Sequence, residues 1–152
     1  MNLATTPTES DDIGLILATC RTVAVVGLSP KPHRDSFRVA QYLQAQGWRI
    51  VPVNPVVASS GESILGEQVF ASLSLAAQAH AIDLVDVFRN SDEVPPIVDE
   101  ALTLKLPALW LQLGVHHDAA VEKARAAGLR VVQDRCLKVE YAHYLAAIIP
   151  PL

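Results

Sequence analysis

Five short apolar runs, most of them rich in β-branched residues and separated by helix-like segments, constrain this chain more than any other feature. They are TVAVVG (22–27), RIVPVN (49–54), IDLVDVF (82–88), PALWLQL (107–113) and LRVVQD (129–134). Most are apolar almost without interruption rather than alternating, the pattern of strands covered on both faces in a parallel sheet. Between them, DSFRVAQYLQAQG sets Val39 and Leu43 at i and i+4, opens with Asp35 or Ser36 as a cap and stops at Gly47. SDEVPPIVDEALTL opens at Ser91 with acids in its first turn and keeps Val94, Ile97, Val98, Ala101 and Leu102 on the helical period. Its prolines, 95 and 96, fall in that first turn, where a missing N–H costs least. HDAAVEKARAAG repeats the scheme from Asp118 to Gly128, and a short helix opens the chain between Ser10 and Cys20. Residues 56–81 read as a loop and turn followed by a short helix.

This alternation predicts an α/β fold. It is a single doubly wound domain over residues 1–152, core about 10–145, with a mainly parallel sheet of about five strands and helices on both faces. Small ligands of such sheets bind at the carboxyl ends of the strands, near the point where strand order reverses.

Bulk properties narrow the partners. Net charge is −4, so the surface has no global attraction for nucleic acid, and any anion site must be local. The opening MNLATTPTESDDIG is polar and acidic, unlike a signal peptide, and no apolar stretch approaches the ~20 residues of a membrane span. Cys20 and Cys136 form no CxxC pattern and read as free thiols. A cytoplasmic protein without a membrane partner is expected.

The chemistry gathers at the predicted strand ends. After Gly27 come Ser29, Lys31, Arg34 and Ser36: two hydroxyls, two cations and a helix N-terminus, all suited to phosphate. The second strand ends in Asn54 and Pro55, where a dinucleotide enzyme carries an acid for the ribose, and the first turn lacks G-x-G-x-x-G. Both absences point away from NAD, while Val53 and Pro55 offer an adenine an apolar wall. The third strand releases Phe88 and Arg89, a pair suited to a base stacked near a phosphate, and Asp86 reads as a hydrogen-bonded core carboxylate. Gln112 and Gly114 end the fourth strand; His116 and His117 read as a surface pair at a helix start. Arg135 beside Cys136 favours a thiolate, but no general base accompanies it. No catalytic or metal cluster stands out.

The strings VAVVGLSPKPHRDSFRVAQYL, IVPVNP, ILGEQVFASL, DLVDVFRNSDEVPPIVDEA, LWLQLGV and AGLRVVQDRCLKVEY together resemble the small stand-alone CoA-binding protein family. These are Rossmann-type domains similar to the CoA-binding domain of the succinyl-CoA synthetase alpha subunit. The resemblance implies coenzyme A across the carboxyl edge of the sheet. Gly27, Ser29, Lys31, Arg34 and Ser36 would face its phosphates, Asn54 and Pro55 would flank the nucleotide, and Val87, Phe88 and Arg89 would lie nearby. Gln112 and Gly114 would line the path of the pantetheine arm. Asp35, where relatives often carry proline, and the histidines of QLGVHH depart from the family pattern. The expected function is binding of coenzyme A or acyl-CoA, non-catalytic or regulatory. The alternative is a small nucleotide-dependent enzyme, or the CoA-binding subunit of an acyl-CoA ligase or transferase.

Overall fold

The computed structural model describes residues 8–149, so the first half of the polar N-terminal string lies outside the described residues. Each apolar run forms a strand: β1 (Thr22–Val26), β2 (Arg49–Val53), β5 (Leu84–Val87), β6 (Ala108–Leu111) and β7 (Arg130–Val132). They make one sheet in the order β2-β1-β5-β6-β7, every neighbouring pair parallel. The helices are α1 (Glu9–Thr19), α2 (Asp35–Ala45), α3 (Pro55–Ser60), α4 (Leu73–Ala79), α5 (Val94–Thr103), α6 (Asp118–Ala126) and α7 (Leu137–Ile148). A two-residue hairpin, β3 (Ser63–Ile64) with β4 (Glu67–Gln68), follows α3.

Strand side chains alternate between two core layers, as the pleat requires. Ala24, Val51, Val53, Val85, Val87, Leu109, Leu111 and Val131 pack with residues of α4, α5 and α6. Val23, Val25, Ile50, Leu84, Trp110 and Val132 pack on the opposite face with α1, α2 and α7. Fully burying one such Val or Leu contributes about 1.5–3 kcal/mol, so two complete layers hold the short strands together. Both sheet edges are covered. Phe70 adds a parallel bridge beside Val53 on β2, and Asp12 of α1 accepts from Val131 N–H on β7 at 3.4 Å.

Three local features depart from the sequence reading. The N-cap of α2 is Arg34, without a side-chain cap bond, because Ser36 instead accepts from Ser29 N–H at 3.0 Å. Ser91–Glu93 form a separate 3₁₀ turn before α5, closed by a capping box between Asn90 and Glu93. The helix α7, which no expectation covered, supplies buried Leu137 and Tyr141 to the second layer. Its signal was apolar spacing at 137, 141, 145 and 148.

The chain leaves β1 through α2 on one face, then crosses to β5, whose following helix α5 lies on the other face. The connections after neighbouring β1 and β5 thus part in opposite directions, which leaves a crevice at their carboxyl ends. No helix of the described residues is long and apolar enough to cross a membrane.

Candidate functional site

Gly27 sits at the head of that crevice. Its φ is +88°, in the left-handed region, and a Cβ there would lie 2.6 Å from the Phe88 carbonyl oxygen and 3.0 Å from Arg89 Cδ. Only a glycine lets the end of β1 pass so near the end of β5. Two cavities meet at this residue, one toward each layer of helices.

The cavity on the α2 side, about 430 Å³, is lined by Gly27, Ser29, Lys31, Arg34, Asp35, Ser36 and Phe88. Five of the residues expected around phosphate therefore lie together. Ser29 Oγ accepts from Lys31 N–H at 3.1 Å and Ser36 Oγ accepts from Ser29 N–H, which leaves each hydroxyl hydrogen free to donate. Lys31 and Arg34 are exposed, and among the described residues neither has an ion-pair partner. Asp35 stands in the same wall, in the first turn of α2.

Asn54 holds the turn in place. Its Nδ2 donates to Leu28 O at 2.9 Å while Oδ1 accepts from the N–H groups of Val56 and Val57 at 3.0 and 3.2 Å. It caps α3 and ties the end of β2 to the first turn, so its polar atoms are committed within the protein.

The cavity on the α4/α5 side, about 280 Å³, is bounded by Val26, Gly27, Val53 and Pro55 from the strand ends. Ser72, the N-cap of α4, Leu73 of α4, and Arg89, Glu93, Ile97 and Glu100 near or in α5 line it as well. Arg89 NH2 pairs with Glu93 Oε1 at 2.5 Å, and Asn90 N–H donates to Glu93 Oε2 at 3.1 Å. The Arg89 guanidinium, helped by that N–H, holds the Glu93 carboxyl below its usual range. Sequence reasoning missed Ser72, Leu73, Ile97 and Glu100. Ile97 carried only a core signal, and no short motif joins residues of α4 to residues of α5.

The remaining expected residues stand apart from both cavities. Val87 is fully buried in the core. Gln112 is buried; its Oε1 accepts from Leu137 N–H at 3.0 Å, so it caps α7. Gly114, φ +86°, donates its N–H to Asp134 at 2.7 Å. His117 caps α6 through Nδ1, which accepts from Ala120 N–H, and His116 N–H donates to Ser91 Oγ. Arg135 spends its guanidinium on Glu9 and Glu140 rather than on Cys136.

Asp86 departs from expectation. It faces the same layer as Leu84, between Val25 and Trp110 on the flanking strands, and is completely buried. Neither carboxyl oxygen has a hydrogen-bond partner among the described residues, and burial pushes this carboxyl well above the usual carboxylate range.

Proteins of several organisms are similar to this chain in sequence or in fold. The chain is 37% identical over 131 residues to the uncharacterized protein YneT of Bacillus subtilis (strain 168), covering 86% of this chain and 93% of that one. A hypothetical protein from Pyrococcus horikoshii OT3 is 31% identical with a TM-score of 0.80, over 95% of this chain and 99% of that one. A structure from Thermus thermophilus is 33% identical with a TM-score of 0.78, over 90% and 98%. The sequence pattern of the CoA binding domain matches residues 21–142, from the start of β1 into α7 and across both cavities. The chain therefore belongs to the CoA binding domain family.

Proposed function

We propose that the protein binds coenzyme A or an acyl-CoA in a non-catalytic or regulatory capacity, with the ligand's phosphates at the turn after β1. The observation that carries this reading is the polar cavity beside Gly27, where Lys31 and Arg34 form no ion pair among the described residues and Ser29 and Ser36 keep donors to spare. Coenzyme A has a pyrophosphate and a 3′-phosphate, enough negative charge to occupy both cations and both hydroxyls. The residues present fit that group, apart from the carboxylate of Asp35 in the same wall.

Phe88 lines the phosphate side and Arg89 the other, so the end of β5 serves both halves of a nucleotide. Asn54 contributes by fixing the turn, and Pro55 by its apolar wall. Gln112 and Gly114, at the end of β6, would flank the pantetheine arm rather than the nucleotide. The cytosol is the natural compartment for such a ligand.

Calorimetric titration with CoA, NAD, NADP and ATP tests this reading. CoA should bind, and more tightly than NAD. Binding of NAD without binding of CoA would overturn it.

A further inference from the structure

The cavity on the α4/α5 side holds a fixed hydrogen-bond acceptor that phosphate binding does not use. Glu100 Oε2 accepts from Ser74 N–H at 3.0 Å and from Ser74 Oγ–H at 2.7 Å, and these two donors set the orientation of the carboxylate. Among the described residues Oε1 takes no hydrogen bond, and Glu100 lines the cavity. Around it the walls are mainly apolar, from Val26, Val53, Pro55, Leu73 and Ile97. The other carboxylate there, Glu93, is already engaged by Arg89 and Asn90.

An apolar slot with an anchored carboxylate suits a flat heteroaromatic ring that carries an amino donor. A phosphate would meet negative charge here, and a ring carbonyl would set its lone pairs against those of Glu100. The two cavities joined at Gly27 thus differ in balance: Lys31, Arg34 and two hydroxyls with Asp35 toward α2, mainly apolar walls with Glu100 and the Arg89–Glu93 pair toward α5. That asymmetry gives a nucleotide one direction across the sheet edge.

We infer that Glu100 is a specificity-determining residue, accepting a hydrogen bond from the exocyclic amine of a 6-aminopurine and discriminating against 6-oxopurines. The inference rests on the coenzyme A reading and names how the base of that ligand is selected. Substituting E100Q sharpens it. Both Ser74 donors demand an acceptor, so the amide oxygen takes the place of Oε2 and the amide nitrogen turns toward the cavity. The preference for the amino base then weakens or reverses.

The test is calorimetric titration of wild type and E100Q with coenzyme A and with its analogue bearing oxygen in place of the 6-amino group. Wild type should bind coenzyme A at least about tenfold more tightly than the analogue, a difference of about 1.4 kcal/mol. In E100Q the ratio should fall to about threefold or less, or reverse, with the melting temperature close to wild type. Equal wild-type affinities for the two ligands would overturn the inference without recourse to any variant. So would an unchanged ratio in a folded E100Q. Failure of coenzyme A itself to bind wild type would instead overturn the proposed function.

Discussion

Gly27 and Phe88 approach so closely that a Cβ on residue 27 would lie 2.6 Å from the Phe88 carbonyl oxygen. The contact joins the two strands whose connections part to opposite faces, and both cavities share its glycine.

Replacing this glycine should therefore harm stability and site together. Gly27→Ala meets backbone rather than a flexible side chain, at a φ of +88°. Clash and left-handed strain together should cost at least about 2 kcal/mol. Urea denaturation measures the loss, and a variant within about 0.5 kcal/mol of wild type would contradict the close approach.

Asn54→Ala removes the cap of α3 and the tie to Leu28 O in one step. A destabilisation of about 1–2 kcal/mol is expected from the lost cap. Because the tie fixes the turn that carries Ser29 and Lys31, ligand affinity should drop as well. Unchanged affinity in a measurably destabilised variant would show that the turn does not depend on Asn54.

Asp86 predicts a pH dependence of stability. Its folded-state pKa is raised by burial, so the folded form holds a proton that the unfolded chain releases near pH 3.9. The favourable contribution is complete below that unfolded value. It is lost as pH rises toward the folded value, by about 1.4 kcal/mol per pH unit in between. Asp86→Asn cannot ionise, so the stability of wild type minus that of the variant should fall as pH rises from 4 upward. Urea midpoints across that range check the sign; a difference independent of pH would refute it.

Lys31→Ala and Arg34→Ala should each weaken coenzyme A about threefold to tenfold, since both cations are exposed and screened. The loss should be larger at low salt and smaller for dephospho-coenzyme A, which carries less charge. Unchanged affinity in both variants would remove the phosphate assignment.

How much of this was legible in the sequence follows from what lies close along the chain. The strands announce themselves because each is a short, mainly apolar run, β-branched in most of them as in TVAVV of β1. The turn proposed to hold phosphate is legible for the same reason: Ser29, Lys31, Arg34 and Ser36 are near neighbours in sequence and remain so in the fold. The region after β2 stays vague because α3 has six residues and its hairpin strands two each, too short for a period to develop. Its placement depends on Phe70 pairing beside Val53, which no local pattern encodes. The second cavity is equally hidden, since Leu73 and Glu100 come together only when α4 packs beside α5. Gln112 shows the same limit: its place at a strand end is legible, but the bond its oxygen takes from Leu137 N–H depends on where α7 packs.

The most direct test of the central claim is an amide NMR titration of the wild-type chain with coenzyme A. The account predicts saturable shifts largest at Gly27, Ser29, Lys31 and Ser36, with smaller ones along the cavity between α4 and α5. Saturable shifts confined to other surfaces, or none at millimolar ligand, would contradict it.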